Sequence, residues 1–351
     1  MPRIEGRIAA LDGVRGLAIL AVVIHHYFHV KLLWMGVDLF FVLSGFLITG
    51  ILVRSKGNSF RRYIGHFYQR RVQRILPPYL LALVVTSLAW KSRIILEHWY
   101  YYIGGMNFLM PRRIPQMGNL PLWSLAVEEQ FYLVWPIALF FMPRRWLVRG
   151  AAALILIAPL LRFVFTPHYD SEWAIYQLLP YRMDCLAAGA LIALLWPTLQ
   201  KKAAAHSGLR GVIATVGAAA VAIALGAMVW MSAHGITTSL NSRLGNTLIY
   251  SCSLVCVVYV LLLALFGYLQ PLFTLRPLTW LGTISYSVYL THLGFLYYLR
   301  DPLHFQHAEI WALIATVAWG TASWHLMEKP LLRLGRGDTR TVTTQFRPAT
   351  H

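Results

Sequence analysis

Apolar residues gather in long runs along this chain, most of them about 18 residues or more, separated by short stretches that are polar, basic or rich in Pro and Gly. Wound as a helix at 1.5 Å per residue, such a run matches the roughly 30 Å of bilayer hydrocarbon. The pattern predicts ten spans, at residues 13 to 33, 36 to 53, 75 to 92, 123 to 142, 147 to 167, 177 to 196, 210 to 233, 244 to 267, 278 to 299 and 309 to 327. Lipid offers no partner for backbone N–H and C=O groups, so each segment must satisfy its own as a helix. The expected fold is therefore an all-α polytopic membrane bundle of about ten transmembrane helices. Residues 94 to 122 form the longest connection; Trp99-Tyr100-Tyr101-Tyr102 reads as an interfacial aromatic belt, and the Pro and Gly residues there argue against a further span. The last span stops at Glu328-Lys329-Pro330. The chain divides into a membrane domain, 1 to 334, and a basic, Thr-rich tail, 335 to 351, expected to be disordered. No repeat of about 20 to 50 residues is visible, which excludes a solenoid. Charged residues near the N-terminus speak against a cleaved signal peptide.

Composition agrees with a membrane protein: of 351 residues, 58% are hydrophobic and 13% charged, outside the usual range of soluble domains. The formal net charge of +18 raises nucleic acid as a partner, but the basic residues sit at span ends and in loops, not on one soluble face. Membrane lipids and a polyanionic cytosolic ligand are the expected partners, with no nucleic acid. With the N-terminus in the cytosol, that side collects Arg3, Arg7, Arg54, Lys56, Arg61, Arg62, Arg70, Arg71, Arg74, Arg144, Arg145, Arg149, Lys201, Lys202, Arg210, Arg276 and the tail arginines. The other side collects about a third as many, so both termini are expected in the cytosol, in the inner membrane of a cell, with Lys91, Arg93, Arg112 and Arg113 against the trend. Cys185, Cys252 and Cys256 all fall in apolar runs without histidine at ligand spacing, so neither a disulfide framework nor a metal is expected.

Polar residues inside apolar runs are the candidates for chemistry, because an arginine at the centre of a membrane helix costs about 2.5 to 3.5 kcal/mol on insertion scales. Arg15 opens the first span and His25-His26 lie inside it; Arg15 and His26 are eleven residues apart, about 16 Å of helix. Two roles stand open for the imidazoles: hydrogen bonds to neighbouring helices, or general-base work near neutral pH. Asp38, at the outer end of the second span, could orient an imidazole or accept a hydrogen bond from a sugar hydroxyl. Ser44 lacks a nucleophile elbow and reads as a small residue for close helix approach. Arg70, Arg71 and Arg74 share a helix face at the cytosolic surface, where they either anchor topology or capture phosphate bidentately. Glu128 enters from the outer side to a depth comparable with His26, while Glu129 reads as an interfacial charge. Arg182 and Asp184 pair with each other or with other helices. Ser285, Tyr289 and His292 make one polar stripe, lining an acceptor pocket or bonding between helices.

Taken together, the motifs resemble the acyltransferase-3 family of integral membrane acyltransferases, over residues 8 to about 334. The resemblance rests on Leu11-Asp12-Gly13-Val14-Arg15-Gly16, on Arg15 with His26, on Val37-Asp38-Leu39-Phe40-Phe41-Val42-Leu43-Ser44-Gly45-Phe46 and on Arg70-Arg71-Val72-Gln73-Arg74-Ile75-Leu76-Pro77. It continues in Trp123-Ser124-Leu125 with Glu128-Glu129-Gln130-Phe131-Tyr132, and in Ile284-Ser285-Tyr286-Ser287-Val288-Tyr289-Leu290 with His292. Each motif is weak alone; six in order over one span pattern are strong.

The resemblance implies transfer of an acetyl or other short acyl group from cytosolic acetyl-CoA, or a related acyl-CoA, to a hydroxyl of a surface or lipid-linked glycan reached from the outer side. It points to Arg15, His26, Arg71, Arg74 and Glu128. On this reading Arg15, Arg70, Arg71 and Arg74 hold the CoA phosphates, and His26 acts as base or as transient acyl carrier with its tautomer fixed by Glu128 or Asp38. Arg182, Asp184, Ser285, Tyr289 and His292 are the candidates for acceptor binding. Some family members carry an extracytoplasmic esterase-like domain after the bundle, and from the length of this sequence none is expected here. A multi-span transporter of a sugar or anionic metabolite is the main rival; it predicts broken helices in matching halves, and no convincing pair is visible. An envelope assembly or receptor protein is the third reading.

Overall fold

The computed structural model describes residues 5–91, 93–112, 121–206 and 208–334. Arg3, Arg113, the side chain of Arg7 and the tail from residue 335 lie outside the described residues. Among the described residues ten long helices carry the architecture: α1 (Glu5–Phe28), α2 (Gly36–Ser55), α3 (Phe60–Ala89), α4 (Trp123–Phe141), α5 (Arg144–Phe165), α6 (Leu179–Ala205), α7 (Gly208–Ala233), α8 (Tyr250–Phe266), α9 (Arg276–Arg300) and α10 (Ala308–Ser323). Among the described residues there is no strand.

Among the described residues, seven segments are long and apolar enough to cross a membrane: Ala9–Phe28, Lys31–Ser55, Phe60–Ala89, Arg144–His168, Trp173–Ala205, Gly208–Ala233 and Gly245–Phe266. The runs near 123 to 142, 278 to 299 and 309 to 327 also form helices, but α10 has only 16 residues, and α4 and α9 carry polar stripes. Those stripes face other helices: Ser124, Ser285, Ser287, Thr291 and His292 are all buried. Hydropathy measures what lipid would see, and it undercounts helices whose polar side is turned inward.

Contacts fix the direction of each helix. Tyr27 Oη donates to the His292 carbonyl oxygen at 2.8 Å while Gly16 abuts the Leu278 backbone, so α1 and α9 run parallel. Tyr286 donates to the Ile75 carbonyl oxygen and Trp90 packs on Tyr298, which aligns α3 with α9. Asp38 meets Arg182 and Gly45 meets Leu186, making α2 and α6 parallel, and Ser44–Tyr132 with Thr49–Trp135 adds α4 to that set. Tyr63 and Tyr68 donate to the carbonyls of Pro136 and Tyr132, so α3 opposes α4; Arg144 reaches Leu194 and Arg162 reaches Tyr181, so α5 opposes α6. Edge-on packing of Trp196 against Phe266 and the Arg182 guanidinium over the Tyr250 ring set α8 along α6. Met231 near Ile249 and Tyr259 bonded to Ala214 set α7 against α8, while Ser287–Ser323 and Phe295–Trp319 set α10 against α9. Odd-numbered helices therefore run one way and even-numbered helices the other. The basic residues Arg54, Lys56, Arg61, Arg62, Arg144, Arg145, Arg149, Lys201, Lys202, Arg210 and Arg276 consequently collect at one end of the bundle.

Two glycine crossings set the closest approaches. A Cβ at Gly45 would collide with the Leu186 backbone and one at Gly189 with the Val42 carbonyl, where α2 crosses α6. Gly16 and Gly282 do the same where α1 crosses α9. Helices in lipid gain association mainly from packing, and small residues let their backbones touch.

Several boundaries differ from expectation, among them the start of α1 at Glu5 and the end of α6 at Ala205. The first span ends at Phe28, where His29 adopts φ 55°, and a 3₁₀ turn Lys31–Met35 leads into α2. The third begins at Phe60, so Arg61 to Arg74 lie in the first half of a helix that runs through Pro77-Pro78. Residues 94 to 112 fold back over the far end of the bundle; Met106 and Leu109 pack with Tyr79, Ala82, Leu125 and Leu290, and Gln130 bonds to Asn107 and to the Gly104 carbonyl.

Candidate active site

A cavity of about 300 Å³ opens among α1, α2, α3, α4 and α9. Its walls run from Asp12 and Ile51 near the basic end to Val37 and Ser124 near the other. Residues 37 to 51 of α2 line it, which is about 21 Å of helix.

Three guanidiniums occupy the basic end. Arg15 pairs with Asp12 at 3.0 Å, an i, i+3 partner on the same face of α1. Arg71 and Arg74 enter from α3, the Arg71 guanidinium lying over the rings of Tyr132 at 5.3 Å and Phe67 at 5.8 Å. Among the described residues neither Arg71 nor Arg74 makes an ion pair. The lining carries three arginines against Asp12 and Glu128, and its remaining wall includes Leu11, Leu47, Ile48, Ile51 and Ile75. An excess of guanidinium in a low-dielectric chamber is a device for binding an anion bidentately.

Midway along the wall, Tyr132 Oη donates to Glu128 Oε2 at 2.9 Å. With its one proton so used, Tyr132 accepts from Ser44 Oγ at 2.5 Å, giving a directed chain from α2 to a carboxylate on α4. Arg15 and Arg71 lie within electrostatic range of that carboxylate. Aromatic groups close the far end: Ser124 and Tyr289 share a hydrogen bond of 2.6 Å, Phe40 packs edge-on against Tyr289, and Phe41 against Trp123.

Behind Tyr289 stands an imidazole pair. The His292 ring is 5.7 Å from that of Tyr289, and its Nε2 lies 3.2 Å from His26 Nδ1. His26 occupies the last turn of α1 and bonds to the Val22 carbonyl at 2.9 Å. Neither imidazole lines the cavity.

The structure thus brings together Arg15, Arg71, Arg74, Glu128, Ser285 and Tyr289, and sets the other candidates elsewhere. Arg70 is exposed and does not line the cavity. His26 and Glu128 do not meet, because Tyr289 intervenes and Glu128 is taken up by Tyr132. Asp38 does not orient His26: fully buried, it pairs with Arg182 and accepts from Ser253 Oγ at 2.6 Å. Asp184 pairs with Arg162 at 2.8 Å, and both ion pairs are sealed between α2, α5, α6 and α8, away from the cavity, so Arg182 and Asp184 have no opening toward an acceptor there. A step of about 100° per residue explains the split on α2: Val37, Phe40 and Phe41 face the cavity while Asp38 faces α6. Sequence reasoning missed Asp12, Tyr132 and Ser124. Asp12 at i−3 from Arg15 and Tyr132 at i+4 from Glu128 were the available signals. Among the described residues no cluster of His, Cys, Asp and Glu is placed to hold a metal ion.

A family model described as an acyltransferase domain matches residues 8–326. Similar proteins include OatA of Listeria monocytogenes serovar 1/2a, named a peptidoglycan O-acetyltransferase, 26% identical over 93% of this chain and 56% of that protein. OatA of Staphylococcus aureus strain NCTC 8325, named an O-acetyltransferase, is 24% identical over 93% and 57%. YrhL of Bacillus subtilis strain 168 is 26% identical over 93% and 55%. The chain spans about half the length of these curated relatives. No solved structure matches it.

Proposed function

The chain belongs to the acyltransferase domain family, and from that premise we propose that it is an O-acyltransferase of the inner membrane, moving an acetyl or other short acyl group from acyl-CoA to a glycan hydroxyl. The observation that carries this reading is the cavity itself, with three arginines at one end and an imidazole pair just beyond the other. Arg15, Arg71 and Arg74 suit the phosphates of CoA, and the apolar wall along α2 suits its pantetheine arm. Acetyl-CoA is the donor proposed, and the names of the relatives point to a cell-wall glycan such as peptidoglycan as acceptor.

All ten long helices cross the membrane in this reading. The basic end and both termini face the cytosol, where acyl-CoA is made, by the bias of basic residues toward that side. The acyl end of the donor reaches the Ser124–Tyr289 contact, and turning the Tyr289 ring aside joins cavity and imidazoles. His26 takes the proton of the acceptor hydroxyl, whose oxygen forms a bond to the acyl carbon as the carbon–sulfur bond breaks. The proton then passes to the thiolate of CoA.

Purified protein in detergent, given radiolabelled acetyl-CoA and a chitooligosaccharide as probe acceptor, tests the assignment. The wild type should move label to the sugar, and His26→Ala should abolish transfer at equal expression. Arg71→Ala with Arg74→Ala should weaken acetyl-CoA binding about tenfold or more, two charge-assisted contacts being lost. Full activity in the His26 variant overturns the mechanism, and unchanged affinity in the arginine pair returns those residues to topology.

A further inference from the structure

We propose that His292 is the positioning residue of His26, fixing which ring nitrogen is free to take a proton; the inference rests on the acyltransferase reading above. A carbonyl oxygen only accepts, so any imidazole nitrogen bonded to one must carry hydrogen. His292 Nδ1 lies 2.8 Å from the Tyr289 carbonyl and therefore bears the proton of that ring. Its Nε2 is then a bare lone pair, and it points at His26 Nδ1.

His26 Nδ1 in turn faces two acceptors, the Val22 carbonyl at 2.9 Å and this lone pair at 3.2 Å. Both demand a proton on Nδ1, which leaves His26 Nε2 as the basic nitrogen. Among the described residues no carboxylate bonds to either ring, so a neutral imidazole takes the place that a carboxylate fills in a Ser-His-Asp triad. His292 is itself held rigid. It is fully buried, and its own carbonyl accepts from Tyr27 Oη at 2.8 Å, tying α9 to α1 at this level. When His26 gains a proton at Nε2 during transfer, its Nδ1–H becomes a stronger donor into the His292 lone pair, which favours the charged ring where it is needed.

A purely structural His292 would also bridge two helices, so the test must separate the two roles. In the assay above, His292→Leu removes the acceptor and should lower kcat about tenfold or more while leaving KM for acetyl-CoA within about twofold. His292→Gln places an amide oxygen near the vacated Nε2 and should recover kcat to within about threefold of wild type. Nitrogen-15 NMR of labelled histidine, with His26→Ala to assign the signal, should show His26 protonated on Nδ1 in wild type and in His292→Gln. An Nε2-protonated His26 overturns the pairing whatever the activity. So does unchanged kcat in His292→Leu, or a Gln variant as impaired as Leu. A wild-type protein that moves no acetyl group, yet gives the expected NMR signals, removes the acyltransferase reading and leaves the pairing standing.

Discussion

Asp38 and Arg182 meet where neither side chain is open to solvent, and the same interior holds Arg162 with Asp184. The Arg182 guanidinium lies 4.4 Å from the Tyr250 ring centroid. Removing one partner of such a pair leaves an uncompensated buried charge, which costs about 3 to 5 kcal/mol in measured cases. Asp38→Asn should therefore lower the thermal midpoint of the detergent-solubilised protein sharply, and Asp38→Leu with Arg182→Leu should regain most of the loss. If the double variant is as unstable as the single one, the pair is not what holds α2 to α6 here. The sequence shows that these charges lie in apolar runs but not whom they meet. Arg182 and Asp184 are two residues apart and point about 200° from each other on one helix, so each had to find its partner elsewhere. Which neighbouring helix supplies that partner is tertiary information that spacing along one helix does not contain.

Helix α2 holds two glycines five residues apart whose substitution should have opposite effects. A Cβ at Gly45 would strike the Leu186 backbone, whereas one at Gly50 would meet only Arg54 Nη1 at 3.7 Å, an ordinary contact. Alanine is worth about 0.5 to 1 kcal/mol over glycine in a helix interior, so Gly50→Ala should be neutral or mildly stabilising. Gly45→Ala should destabilise by about 1 to 3 kcal/mol, as overpacking does, because backbone cannot move aside as a side chain can. Thermal midpoints of the two variants side by side check this; equal midpoints would remove the close crossing of α2 and α6. That the apolar runs form helices was legible, and seven of them are long and apolar enough to cross a membrane, since length and hydropathy are properties of one helix. The boundary at Phe60 was not, because the basic residues that seemed to lie outside the membrane continue the same helix as the apolar stretch after Pro78.

For the molecule as a whole, the alternating helix directions put most of the described basic residues at one end, and the same end holds the arginine mouth of the cavity. The arginines of the site were readable from sequence because they carry a chemical signature. The cavity was not, because five helices each contribute one face and only their assembly encloses it. Ser59 precedes α3 at the basic end and Ser239 follows α7 at the other, and both are exposed. The native cysteines lie within α6 and α8, so they can be replaced to give a silent background. In intact cells a membrane-impermeant maleimide should label Ser239→Cys readily and Ser59→Cys only after the membrane is opened. The reverse pattern would turn the arginine end away from the cytosol. A donor confined to the cytosol could then not reach Arg15, Arg71 and Arg74, so this one labelling experiment bears on orientation and donor class together.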